Sequence, residues 1–160
     1  MKYLRHISGG EIREEDVLSA VRNQDLFPAD FASRRELFQM EAVAIDETLE
    51  NLKIPKGILR REQLQRMNAY ARQLAAWADA ARAKMCQIND EEENFARIMK
   101  AFRELPKGEQ RLLMEMIYYG KKPEAIEVSG GKASELTIWR RRKAIIEKLL
   151  DTCNARRKKS

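Results

Sequence analysis

The chain has 160 residues, 44% apolar and 35% charged, with 7 Gly and 4 Pro. That balance suits long helices and one domain, or a small domain with an elongated arm. Two distant cysteines (Cys86, Cys153) and one histidine (His6) exclude a zinc cluster and a disulfide framework and point to a reducing cytoplasm.

The net charge of +6 is unevenly placed: Leu105 onward holds 14 Lys+Arg against 7 Asp+Glu, whereas the first 104 residues hold 17 against 18. A local basic excess on an otherwise neutral chain is the footprint of phosphate binding. The N-terminus lacks an apolar signal core, and no run of about 18 apolar residues occurs, so no membrane span is expected.

Residues 1–10 read as loose or partly extended, ending in Ser8-Gly9-Gly10. A first helix is predicted over 11–22, with Ile12, Val17, Leu18 and Val21 at near-helical spacing and acids in its first turn. Asn23-Gln24-Asp25 should stop it. Ser33 with Glu36 reads as a capping box for a second helix to about Lys53. Phe38, Ala42, Ile45, Leu49 and Leu52 form its single apolar stripe, and Ile54-Pro55-Lys56-Gly57 ends it.

A second stripe then runs through Leu64, Met67, Ala71, Leu74, Ala78, Ala81, Met85 and Ile88, and Phe95, Met99 and Phe102 continue its register. This is a seam of about five heptads, a coiled-coil or helical-hairpin signal. Asp90 with Glu93 is a capping-type pair, which favours a kink or break near Asn89. The partner of the seam is either the 33–53 helix folded back or the same seam in a second copy, giving a homodimer or higher oligomer.

Leu105-Pro106 closes the arm. A helix over 107–119 turns Leu112, Leu113, Met116 and Ile117 to one side, and Gly120 stops it. Pro123 opens a short second helix with Ala125 and Ile126 facing in, followed by the turn Ser129-Gly130-Gly131. Ser134 caps a third helix to about Asp151. At 100° per residue, Ile138, Ile145, Ile146 and Leu149 cluster on its core side. Thr137, Arg140, Lys143 and Ala144 lie roughly opposite, with Trp139 and Arg141 on the flanks. Arg142 turns towards the core, to snorkel or to pair with an acid such as Glu115. Short polar and long basic side chains near the start of a helix are what base edges and phosphates require.

The expected fold class is therefore all-α, a long helical hairpin or coiled-coil arm followed by a three-helix helix-turn-helix module. The expected segments are 1–57, an N-terminal helical segment; 58–104, the heptad-patterned arm; 105–152, the helix-turn-helix module; and 153–160, a basic tail. No Ser/His/Asp or Cys/His set, glycine loop or metal cluster suggests an enzyme, so no catalytic residue, cofactor or metal is expected. Glu91-Glu92-Glu93 reads as a solvated, capping face.

The positions Leu105-Pro106, Glu109, Leu112, Leu113, Tyr118, Tyr119, Gly120, Glu124, Ile126, Ser134, Thr137, Ile138, Trp139, Arg140, Arg141 and Leu149 carry a resemblance. They resemble the fourth region of bacterial sigma factors, and still more the sigma-like module of small phage-encoded late-gene transcription activators. The resemblance covers roughly 45 of the 160 residues. It departs from the family in a longer, glycine-rich turn, Val128–Ala133, and in Glu127, where a small residue is usual. Residues 1–57 carry no resemblance, and no promoter-melting region is visible.

What the resemblance implies is a sequence-specific regulator of phage or prophage genes that binds double-stranded DNA in the bacterial cytoplasm, at the nucleoid. Contact with RNA polymerase stays open. Thr137, Arg140 and Arg141 would read bases in the major groove, while Lys132, Lys143 and the tail Arg156-Arg157-Lys158-Lys159 would bind phosphate. With Ser134 and Trp139 these complete the candidate DNA-binding set. The alternative is a helical DNA-binding assembly protein, such as a small terminase-like packaging subunit.

Overall fold

The structure, a computed structural model, describes residues 4–52, 60–126 and 134–158, with side chains as far as Ala155. It is all-α: the described residues form α1 (Glu14–Arg22), α2 (Phe27–Asn51), α3 (Arg61–Arg103), α4 (Lys107–Leu113) and α5 (Glu135–Lys158). A π-helical turn over Met114–Tyr118 extends α4, and a 3-10 turn over Pro123–Ala125 precedes α5. No described helix is long and apolar enough to cross a membrane.

The chain divides into two compact units, Met1–Pro28 with Asp90–Ser160, and Ala29–Asn89. These group the chain differently from the four segments read off the sequence. The N-terminal 28 residues belong with the C-terminal module.

In the first unit, α1 starts because Asp16 reaches back: its carboxylate accepts the Arg13 N–H at 2.9 Å and the Ser8 N–H at 3.0 Å. Glu14, Glu15 and Asp16 complement the positive end of the helix and Arg22 the negative end. Val17, Ala20 and Val21 are buried, and α1 packs on both the π turn and α5. The segment before it is held, not loose. Ile7 and Ile12 are buried, Ser19 Oγ donates to the Arg5 carbonyl at 2.6 Å, and Asn94 Nδ2 donates to the Ser8 and Gly10 carbonyls at 2.6 and 2.9 Å.

Asn23 ends α1 as expected, but α2 starts at Phe27, and Ser33 sits exposed inside it instead of capping it. The reason is local. Pro28 falls in the first turn, where its missing N–H needs no partner. The Asn23 carbonyl accepts from the amides of both Leu26 and Phe27, at 2.9 and 3.2 Å. Phe27 is fully buried, with its ring centroid 5.1 Å from that of Phe95.

The expected break near Asn89 is absent: α3 is one helix of 43 residues. Asn94 is spent on the carbonyls of Ser8 and Gly10, and Glu91 is buried, so this polar run is partly an inward face and not a cap.

In the second unit, α2 and α3 form an antiparallel pair. Arg35 Nε donates to Asn89 Oδ1 at 2.9 Å, and the Arg82 guanidinium binds the Asp46 carboxylate. Advancing along α2 thus means retreating along α3. Ala42, Ala78, Ala81 and Ile88 are buried between them, and Leu74, next along the seam, is buried too. From Leu74 onward the seam is satisfied within the chain. The expected stop at Ile54–Gly57 lies outside the described residues.

At the other end of the first unit, Gly120 adopts φ +67°, the left-handed conformation, and Lys121 N–H donates to the Glu115 carbonyl at 2.8 Å, turning the chain. The tail is helical: α5 runs to Lys158. Cys153, one turn beyond Leu149, prolongs the apolar stripe and is buried. The Asn154 amide brackets Ile12, accepting from its N–H at 3.2 Å and donating to its C=O at 3.0 Å. Burial pushes the Cys153 thiol up from its ordinary value, whereas Cys86 is exposed. An alkylating reagent at neutral pH is therefore expected to label Cys86 in the native protein and to reach Cys153 only on unfolding. Peptide mapping reads this directly; equal labelling would contradict the packed C-terminus.

Candidate nucleic-acid interface

The site is built on α5. Its first turn is fixed by Ser134, whose Oγ accepts the Thr137 N–H at 3.2 Å and lies 2.7 Å from the Thr137 hydroxyl. Ser134 is thus the N-cap that the sequence suggested. The two hydroxyls are committed to each other, and Thr137 is half-buried.

Ile138, Ile145, Ile146 and Leu149 are all buried, so the angular reading of the helix holds. They rest on α1, on α4 and on the 3-10 turn. Leu112, Leu113, Met116 and Ile117 are buried from the α4 side. In the 3-10 turn Pro123 and Ile126 point in, while Ala125 is exposed, contrary to expectation. A 3-10 turn advances three residues per turn, so one apolar face takes positions 123 and 126 and leaves 125 outside. Of the short second helix, the described residues contain this single turn.

The opposite side of α5 exposes Arg140, Arg141, Lys143 and Ala144. Arg140, Arg141 and Lys143 have no ion-pair partner among the described residues. Lys148, further along, reaches Glu109 at 3.4 Å. Arg141 also lines a cleft of about 550 Å³ between α4 and α5, with Glu109, Arg111 and Glu115 on the far wall and Ala144 and Lys148 on its own.

Arg142 is half-buried, and its guanidinium stacks 4.8 Å from the centroid of the Trp139 ring. Burial lowers its pKa, Glu14 of α1 opposes that, and Arg22 of α1 adds to it. Glu115 does not pair with Arg142, because it already faces Arg111 at 3.3 Å and Lys121 at 3.6 Å. Trp139 stays 45% exposed and carries the stacked cation on its face. The indole is thereby held against the surface of the helix.

Lys132 lies outside the described residues. Arg156 and Arg157 fall in the last turn of α5, with side chains outside the described set. Two cations not anticipated from sequence border the module. Arg22 of α1 lies within Coulombic reach of Arg142, and Lys122, exposed, follows the Gly120 turn. Lys122 could have been noticed beside Lys121 in the basic count. Arg22 could not, because its proximity is created by the packing of α1 on α5.

Among the described residues no group of three or more His, Cys, Asp and Glu could hold a metal ion, and His6 is exposed. No protein-family model, curated protein or solved structure gives a significant match to this chain.

Proposed function

We propose that this chain is a sequence-specific DNA-binding regulator of phage or prophage type that acts in the bacterial cytoplasm and has no catalytic role. The observation that carries this reading is the division of α5 into a fully buried apolar side and an outward side bearing Arg140, Arg141 and Lys143, without ion-pair partners among the described residues. A structural surface helix gains by pairing its charges at i and i+4, as Arg97 does with Glu93 and Arg111 with Glu115. Cations left open on a rigid helix instead suit a polyanion. The phage context rests on the likeness of Leu105–Leu149 to sigma region 4, which also makes RNA polymerase a candidate partner.

In this reading the outward side of α5 enters the major groove. Arg140 and Arg141 present their guanidinium forks to base edges, guanine above all. Lys143 and Lys122 neutralise phosphates, and the Ser134–Thr137 cap fixes where the helix begins. Trp139, braced by Arg142, packs at the groove wall.

The test is selection of bound genomic fragments at moderate salt, followed by titration of the recovered site. A discrete motif should emerge, and log K should fall with log[salt] with a slope of about −2 per module from Lys143 and Lys122, about −0.9 per phosphate neutralised. Recovery of fragments with no shared motif would refute sequence-specific reading.

A further inference from the structure

The apolar surface that the fold leaves uncovered lies on the α2–α3 pair. Relative to the inner face of α2, where Ala42 is buried and Phe38, Ile45 and Leu49 are half-buried, a second stripe sits about 180° away. It consists of Leu37, Met40 and Val43, which are 63%, 63% and 49% exposed. A helix that is apolar on two sides normally has both covered. The second stripe is set among acids: residues 36–51 carry Glu36, Glu41, Asp46, Glu47 and Glu50 and no Lys or Arg. Of these only Asp46 has an ion pair within the described residues, with Arg82.

The complementary surface is the first part of α3. The pairing of Asp46 with Arg82 places the end of α2, Asn51, near residue 77 of α3, so residues 61–73, ahead of the buried Leu74, continue about 20 Å beyond the paired part. This tip keeps the heptad register of the buried seam, with Leu64, Met67 and Ala71 in line with Leu74. Leu64 and Tyr70 are exposed, and so is Trp77 at its base. Residues 60–73 carry Arg60, Arg61, Arg66 and Arg72 against Glu62 alone. Within one chain the acidic stripe and the basic tip are at different heights of the hairpin and do not meet.

We infer that a second copy of this chain covers this surface: the basic α3 tip (Leu64, Met67, Tyr70, with Arg60 and Arg66) of each protomer lies on the acidic α2 stripe (Leu37, Met40, Val43, with Glu41 and Glu47) of the other. The exchange is reciprocal, so it closes as a two-fold dimer. Two contacts about 15–20 Å long and one helix diameter wide bury roughly 600–1,000 Å² in total, the size of a weak, concentration-dependent interface. Opposite charges around an apolar centre set which faces meet and discourage each face from pairing with itself. The interface uses the part of the seam that α2 does not cover, and it does not depend on DNA binding.

Sedimentation of the full chain at tens of micromolar should give twice the 18.6 kDa chain mass. Leu37→Glu with Met40→Glu should give a monomer, with circular dichroism unchanged because both side chains are exposed. Two charge reversals make the decisive arm. Glu41→Arg with Glu47→Arg, and separately Arg60→Glu with Arg66→Glu, should each be monomeric alone. Mixed one to one, they should recover the dimer, since both contacts are then attractive in the heterodimer. A monomeric parent, a ring or larger oligomer, an unchanged mass for the Leu37/Met40 variant, or failure of the mixture to reassociate would each overturn the proposal. Should the Leu37/Met40 variant lose helicity, Tyr70→Glu on the tip reads the same contact.

Discussion

Replacing Arg140 and Arg141 together with alanine is expected to abolish specific DNA binding while leaving helical content and melting temperature close to the parent. Both side chains are exposed on α5 and hold no ion pair among the described residues, so the fold loses no described partner with them. Alanine propagates a helix at least as well as arginine. If each guanidinium makes a bidentate contact worth roughly 1–3 kcal/mol, losing both lowers specific affinity about 30-fold to 10⁴-fold, and the upper part of that range reaches the level of non-specific association. Lys143→Ala should differ in kind: a modest weakening on all sequences, with the salt slope reduced by about 1. Arg142→Ala should differ again, loosening Trp139 and trimming stability with little change in the sequence preferred. Fluorescence anisotropy on the selected site and on a scrambled duplex separates these patterns. A double variant that still discriminates the two duplexes would rule out α5 as the reading element.

The contrast between Arg141 and Arg142 shows how far the residues alone could take this site. The two are adjacent in a run of three arginines, and composition treats them alike. Helical periodicity separates them, because Ile138, Ile145, Ile146 and Leu149 declare the buried side of α5 within a single element. The burial of Leu112, Leu113, Met116 and Ile117 was legible for the same reason. What the pattern could not give is the neighbour across the interface. The role of α1 depends on contacts between residues more than 100 positions apart, such as Asn154 bracketing Ile12, and no local period encodes those. The start of α2 was misplaced because Ser33 and Glu36 have a cap's spacing, while the buried Phe27 and a proline in the first turn let the helix begin earlier. The break expected at Asn89 failed similarly. A polar run inside a helix reads as solvent-facing until the chain that covers it is known, and here that chain is the Ser8–Gly10 segment held by Asn94.

The dependence on α1 gives the second large expected effect. A fragment beginning at Leu105 retains every candidate DNA-binding residue, α4, the turn and α5, and by the sequence-based division it is the complete module. It nevertheless lacks α1, one of the three surfaces on which the core side of α5 rests. Removing residues 1–22 from the full chain deletes Ile7, Ile12, Val17 and Val21, all buried. Four apolar side chains at roughly 1.5–3 kcal/mol each amount to about 6–12 kcal/mol, comparable with the whole stability of a small domain, about 5–15 kcal/mol. The deletion also leaves Asn94 and Asn154 without the Ser8, Gly10 and Ile12 backbone groups they bind, and buried polar groups stripped of partners add further loss. Both the 105–160 fragment and the chain lacking residues 1–22 are therefore expected to lose cooperative thermal unfolding of the C-terminal unit and specific DNA binding together, although no arginine of α5 has been touched. Supplying residues 1–26 as a separate peptide to the chain lacking residues 1–22 should restore part of the cooperative transition, because Asn94 and Asn154 then regain the Ser8, Gly10 and Ile12 backbone groups they bind. A 105–160 fragment that melts cooperatively and binds its site like the parent would show that α1 is an accessory to the module and not one of its walls.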